Sequence, residues 1–133
     1  MENFEKIMKD TGHHITLPRK HAFALLSDAG IPMGISDLTS ELRTIDRATV
    51  YRTIELFIQL GIIKEVWFGN KPKYELSDDL QDHHHHLVCE QCGLITKIDS
   101  KDLEKTLFKL TKKSGYKHLR HQVEVIGLCS SHK

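Results

Sequence analysis

The sequence carries almost no net charge, few cysteines and no long apolar run. Lys and Arg number 19 against 18 Asp and Glu, a formal charge of +1 with neutral His. That balance excludes a chain that binds nucleic acid through general basicity, so any DNA contact must come from a local cluster of cations. No apolar stretch approaches the roughly 20 residues of a membrane span, and no membrane association is expected. The amino end, MENFEKIMKDTGHH, is polar and has no signal-peptide apolar segment, so a cytoplasmic location is the expectation. Cys occurs three times. An odd count in such a setting argues against a disulfide framework. Within 133 residues, 39% are apolar and 28% charged, which suits a globular chain.

Histidine is what the sequence has in excess. Seven of the ten His lie after residue 80, together with all three Cys, and His and Cys crowded together argue for metal. Charge does not divide the chain, because residues 1–76 and 77–133 are each close to neutral. Histidine does divide it. The acidic, apolar-poor segment 77–82, SDDLQD, reads as a linker. Units of 1–76 and 83–133 follow, each small enough to need a metal, a partner chain or the other unit.

The first unit reads as helices followed by a hairpin. Residues 2–11 form a short helix. Thr16 caps a second, with Pro18 in its first turn and Phe23, Leu25 and Leu26 inward. Ser36 caps a third, with Leu38 and Leu42 on one face. Asp46 caps a fourth that runs to about Leu60, where Val50, Ile54, Phe57 and Ile58 make an apolar stripe. Two short strands, 62–68 and 72–76, meet about a Gly69-Asn70 turn. The third and fourth helices read as a helix-turn-helix with the hairpin as a wing, or else as a plain helical bundle with a solvated polar face. Opposite the apolar stripe stand Arg47, Thr49, Tyr51 and Arg52, residue types that bond phosphate or base edges; Arg19 and Lys20 could grip the backbone.

In the second unit the pattern is strand (83–89), strand (94–98), helix (100–114, with Leu103, Leu107 and Leu110 inward) and strand (119–128). Cys89-Glu90-Gln91-Cys92 is a C-x-x-C, and Cys129-Ser130-Ser131-His132 is a C-x-x-H. Two such pairs fill a tetrahedron with no open position, the structural zinc pattern; a redox motif or free thiols remain open. His83-His84-His85-His86 alternates faces if extended, so His83 and His85 point one way and His84 and His86 the other, each pair about 7 Å apart along the chain. Glu104 and His121 are candidate partners for the first pair, and Glu75 for the second. A solvated His run, or a fragment of an affinity tag, is the other reading.

DRATVYRT (46–53), LGII (60–63), HHHHLVCEQCG (83–93), His121 and GLC (127–129) together resemble the ferric uptake regulator family, in order and over almost the whole chain. The resemblance implies an α+β protein: an N-terminal winged helix-turn-helix domain plus a small C-terminal α/β dimerisation domain. Its implied role is a metal-dependent bacterial repressor that binds palindromic double-stranded DNA operators as a homodimer. It implies structural Zn²⁺ at Cys89, Cys92 and Cys129, with His132 where the family usually has Cys. It implies a regulatory site at His83, His85, Glu104 and His121, and a second at Glu75, His84 and His86. Two departures bear on the metal. Many iron-sensing members place a DNA-domain His where this chain reads Met33-Gly34-Ile35; His13, His14 and Glu65 are possible substitutes. Iron-sensing members also often carry Asp where this chain has His85. Three imidazoles and one carboxylate suit Zn²⁺, whereas an added carboxylate favours Fe²⁺. The HHHHLVC string is more similar to the zinc uptake regulator branch, so the regulatory ion is expected to be Zn²⁺, with Fe²⁺ the alternative. No second acid, base or nucleophile supports a zinc hydrolase, and a metal-dependent mobility shift on palindromic DNA would separate a regulator from a metal-buffering protein.

Overall fold

The computed structural model describes residues 1–68 and 70–133 and divides into two compact units, Met1–Asp82 and His83–Lys133. The first contains α1 (Glu2–Asp10), α2 (Leu17–Ala29), α3 (Ile35–Glu41), α4 (Arg47–Gln59), β1 (Ile63–Phe68) and β2 (Lys71–Leu76). The second contains β3 (His85–Cys89), β4 (Ile95–Ile98), α5 (Lys101–Lys113) and β5 (Glu124–Gly127).

Local chemistry sets the helix starts. The Thr16 hydroxyl accepts from the Arg19 N–H, and Pro18 lies in the first turn of α2. Gly30, at φ 68°, ends that helix in the left-handed conformation an L side chain rarely adopts. Asp46 caps α4: its Oδ2 accepts from the Thr49 N–H at 3.1 Å and its Oδ1 from the Thr49 hydroxyl at 2.6 Å. The third helix starts earlier than its expected Ser36 cap. Its N-cap is Gly34, whose own N–H donates to Asp37 Oδ2 at 3.2 Å, the half of a capping box in which the N3 side chain reaches back.

The apolar stripes converge on one core. Phe4 and Met8 from α1, Phe23 and Leu26 from α2, Leu38 from α3, and Val50, Ile54 and Phe57 from α4 are all buried, with Ile62, Ile63 and Leu76 beneath. Phe4 sits edge-on to both Phe23 and Phe57, ring centroids 4.3 and 5.5 Å away. The wing pairs β1 with β2 antiparallel, from Ile63↔Leu76 to Phe68↔Lys71. Met33 adds a bridge to Tyr74, with N–H to O bonds of 2.8 Å in both directions. The expected Gly69-Asn70 turn includes Gly69, which lies outside the described residues.

The second unit is a three-stranded sheet in the order β4-β3-β5, with β3 antiparallel to β4 and parallel to β5. Two of its strands are shorter than the sequence pattern suggests. β3 begins at His85, because His83 and His84 lie outside the ladder; β5 occupies only Glu124–Gly127 of the expected 119–128. Residues 117–123 belong to no strand, although the His86 N–H reaches Val123 O at 3.3 Å, and Leu119 and Tyr116 lie three-quarters exposed. Helix α5 buries no residue, and Leu110, expected inward, is 56% exposed. Its apolar stripe is only partly covered within its own unit, with Leu103 and Leu107 half-buried. Among the described residues no helix is long and apolar enough to cross a membrane.

Phe57 is fully buried at the centre of the first unit. Phe57→Ala is expected to cost about 3–5 kcal/mol through lost transfer energy and the cavity left behind. Urea denaturation followed by fluorescence of Trp67, the single tryptophan, on β1 of the same unit, measures this directly.

Candidate metal centres and the reading helix

Two turns bring the sulfur ligands together. Cys89 ends β3, and the return to β4 is tied by Gly93 N–H to Cys89 O and Cys89 N–H to Leu94 O, both 2.9 Å. Gly93, at φ 77°, makes that reversal possible. Beyond β5, the His132 N–H donates to Cys129 O at 2.9 Å and closes the second turn, while Glu90 N–H to Gly127 O at 2.8 Å holds the two turns side by side. Cys92 Sγ and Cys129 Sγ are 3.7 Å apart; His132 Nδ1 lies 3.1 Å from Cys129 Sγ and 3.8 Å from Cys89 Sγ. All three cysteines are free. A sulfur–sulfur separation of 3.7 Å far exceeds a disulfide bond. It matches the edge of a tetrahedron with Zn–S bonds of about 2.3 Å, which is about 3.8 Å. Backbone N–H groups of Cys129 and Cys92 aimed at its sulfur push the Cys89 thiol down to about 6. Cys92 moves the other way: the Leu94 N–H lowers it, but the neighbouring Cys89 and Cys129 thiols outweigh that and raise it. Adjacent thiols resist joint ionisation, and a divalent cation among them removes that conflict.

The first histidine pair also converges as the alternation requires. His83 Nε2 lies 3.2 Å from His85 Nε2 and 3.0 Å from His121 Nε2. Glu104, in the first turn of α5, places Oε1 2.8 Å from His85 Nε2 and 2.9 Å from His83 Nε2, and Oε2 2.5 Å from His121 Nε2. The Ser100 cap, whose hydroxyl accepts from the Leu103 N–H, starts α5 so that Glu104 faces the sheet. A neutral imidazole Nε2 is either one donor or one acceptor. His83 Nε2 therefore cannot satisfy three neighbours at these distances, whereas a cation at their centre would accept every lone pair. Donor identity and spacing both fit Zn²⁺. Burial lowers the His85 pKa, with the Glu104 carboxylate opposing. For Glu104, burial works upward but the His85 hydrogen bond and three imidazoles prevail, and its pKa is lowered.

The second pair behaves alike within its unit. His84 Nε2 and His86 Nε2 are 3.1 Å apart, and both rings are buried. Glu124, opposite His86 in the β3–β5 ladder, accepts from His86 Nδ1 at 3.0 Å, which leaves Nε2 to face its partner. Glu75 is buried on β2 of the first unit, with Lys64 Nζ 3.6 Å away. Met33 and Gly34, where many iron-sensing members have a His, are used for the bridge to Tyr74 and the cap of α3.

Sequence reasoning missed two residues of this region. Glu124 was detectable only through strand register, which a sequence does not print. His118, three residues before His121, places Nε2 2.7 Å from His121 Nδ1; its spacing was visible, but not that residues 118–121 fold back on themselves.

On α4, Arg47, Ala48, Tyr51 and Arg52 are exposed on the face opposite the core. Thr49 differs from expectation in its environment: it is half-buried, spent on the Asp46 cap, and accepts from Arg52 Nη2 at 3.0 Å. Arg19 Nη1 donates to His14 O at 2.7 Å, and Lys20 is exposed.

The sequence profile of the Ferric uptake regulator family matches residues 10–126. The Ferric uptake regulation protein of Neisseria meningitidis (serogroup A) is 34% identical over 138 residues, covering 98% of this chain and 94% of that protein. The ferric uptake regulator of Vibrio cholerae superposes with a TM-score of 0.79 at 28% identity, over 93% of this chain and 98% of its own. The regulator from Francisella tularensis, solved with iron, gives 0.77 at 26% identity, over 90% and 94%. This chain belongs to the ferric uptake regulator family, whose members are metal-responsive transcription regulators that bind DNA and are not enzymes.

Proposed function

We propose that this protein is a zinc-sensing repressor of metal homeostasis genes that binds palindromic operators as a metal-loaded homodimer. The observation that carries the zinc reading is the donor set of the first histidine cluster: three imidazole nitrogens and a single carboxylate. Fe²⁺ is the second reading, favoured by the names of the relatives rather than by the donors. Cys89, Cys92, Cys129 and His132 would hold a permanent Zn²⁺, and His83, His85, Glu104 and His121 the regulatory ion. His84 and His86 are the proposed ligands of a second regulatory ion. At each site the ion supplies positive charge that neutralises converging donors and ties distant stretches of chain together.

The homodimer reading rests on apolar surface. Leu87, Val125 and Ile126 on the sheet, Leu128 just beyond it, and Phe108 and Leu110 on α5, are each at least 39% exposed, apolar surface of the kind that marks interaction sites where it gathers. Each chain of the dimer would present Arg47, Tyr51 and Arg52 at the N-terminal end of α4 to the major groove, with half-sites spaced by whole helical turns. The regulatory ion can bias DNA binding only through different affinity for the two arrangements of the dimer, typically worth about 1–3 kcal/mol.

Operator affinity should rise roughly 5–150-fold when Zn²⁺ fills the regulatory site. His85→Ala should lose that response while retaining one tightly held zinc per chain. A mobility shift on palindromic DNA with parallel metal analysis tests both, and equal operator binding with and without the second ion would sink the proposal. Repeating the titration with Fe²⁺ decides between the two metals.

Arg47→Ala and Tyr51→Ala should each weaken operator binding by about 1–3 kcal/mol and leave zinc content unchanged. Loss of zinc in either would indicate a misfolded chain instead.

Protons compete for the same nitrogens. The His85 pKa is lowered, so its ring stays neutral further into acid than a free imidazole. In the folded chain it binds fewer protons than in the unfolded chain, so its linkage favours folding above the ordinary imidazole value of 6.5 and is lost as pH falls below it. Glu104, also lowered, acts in the same direction below 4.5. Because His85 stays neutral further into acid than a free imidazole, its loss of the regulatory ion to protons should set in only below pH 6.5 and steepen as that ring protonates, as calorimetric titration at several pH values will show.

A further inference from the structure

We propose that His118 is a positioning residue for metal binding by His121: it accepts the Nδ1 proton of His121 and so reserves the opposite nitrogen for the ion. The inference rests on the regulatory-site reading above and assigns a role to a residue outside the ligand set.

The geometry is specific. His118 Nε2 lies 2.7 Å from His121 Nδ1, while His121 Nε2 faces His83 Nε2 at 3.0 Å and Glu104 Oε2 at 2.5 Å. A neutral imidazole carries one N–H. For Nε2 to offer its lone pair, Nδ1 must hold the proton and needs an acceptor. His118 Nε2 is that acceptor, which places the proton of His118 on its own Nδ1. The His118 ring is in turn seated by Phe108 of α5, centroids 4.5 Å apart, and Phe108 meets His121 edge-on at 6.2 Å. His118 and His121 thus stand as a packed pair in a stretch that belongs to no strand or helix. His85 differs: its Nδ1 accepts from the Val123 N–H at 3.2 Å, so in the ion-free chain its proton lies on Nε2, toward Glu104, and has to leave before Nε2 can ligate. Of these two rings, His121 is the one whose partner already selects the ligating tautomer. Outer partners of this kind typically contribute roughly 10–100-fold to metal affinity.

The test uses the full-length protein with its tightly held zinc retained, titrated with Zn²⁺ against a chromophoric chelator and with Co²⁺ for its visible spectrum. His118→Leu keeps bulk against Phe108 but removes the acceptor; His118→Gln restores an oxygen that can accept from Nδ1–H. His118→Leu should bind the second ion roughly 10–100-fold more weakly and alter the Co²⁺ spectrum, while His118→Gln stays within about threefold of the parent. Both should keep one zinc per chain and the parent melting temperature. Parent-like affinity in His118→Leu would overturn the inference and leave the regulatory site standing. So would an equal loss in His118→Gln, or loss of the first zinc in His118→Leu, since either would mean that packing rather than the hydrogen bond matters. A parent protein that takes up no second ion would overturn the regulatory-site reading and this inference with it.

Discussion

The second unit has almost no apolar interior, and everything about it follows from that shortage. Its buried side chains are Cys89, Ile95 and three consecutive histidines, and α5 buries nothing. A unit of this size cannot hold a sheet and a helix together on one isoleucine and a thiol. What it has instead is lone pairs aimed inward. Four donors meet at the turn ends and four more where the histidine strand faces α5. Without a cation those donors crowd one another, because neutral imidazoles and thiols have too few protons to satisfy so many neighbours. With one, the same crowding becomes cohesion. Metal dependence is thus built into the stability of the domain rather than added to a fold that stands without it.

The first unit is stabilised in the opposite way. Aromatic and aliphatic residues from four helices and the wing interlock around Phe4 and Phe57, and nothing in that core needs an ion. This contrast suits a switch. A rigid reading head should not melt when metal is scarce, whereas the part that senses metal must respond to it. The cap of α4 extends the same logic to the surface proposed to face DNA. Asp46 ties Thr49, and Thr49 accepts from Arg52, so the polar face at the start of the helix is ordered by the helix start itself. Backbone register, cap and reading residues are fixed together.

How much of this could be read from sequence depended on the range of the interaction. Helix starts at Thr16 and Asp46 were legible because caps act over three residues. The facing of alternate histidines was legible because a strand has period two, even though the ladder proper begins only at His85. Ligand pairs at Cys89/Cys92 and Cys129/His132 were legible from spacing. Glu104 could be nominated from helix position, but its oxygens meet three imidazoles only because β4 and the Ser100 cap aim the helix. Ser36 is not the cap because the helix already begins at Ile35, with the Gly34 N–H held by Asp37. Leu110 failed as a core residue because amphipathicity reveals that a face is apolar, not which molecule covers it. Glu124 and His118 could not be found at all without register and fold-back, since each acts across a contact that no local pattern encodes.

The donor chemistry also separates the two ion sites by function. Three sulfurs and one imidazole fill a tetrahedron and leave no position for a proton or water to enter, and a thiol already pushed down to about 6 surrenders its proton readily. As proposed, such a site would fill once and stay filled. The histidine–carboxylate site holds its donors ready but neutral: burial keeps His85 uncharged, and Glu104 provides the single negative charge. Its net donor charge is lower, so its hold on a divalent ion is weaker and exchange with the surrounding pool is easier. Under the proposed assignment a permanent fastening and an exchangeable sensor would arise in one small sheet from the same rule, with the number of anionic ligands deciding which is which.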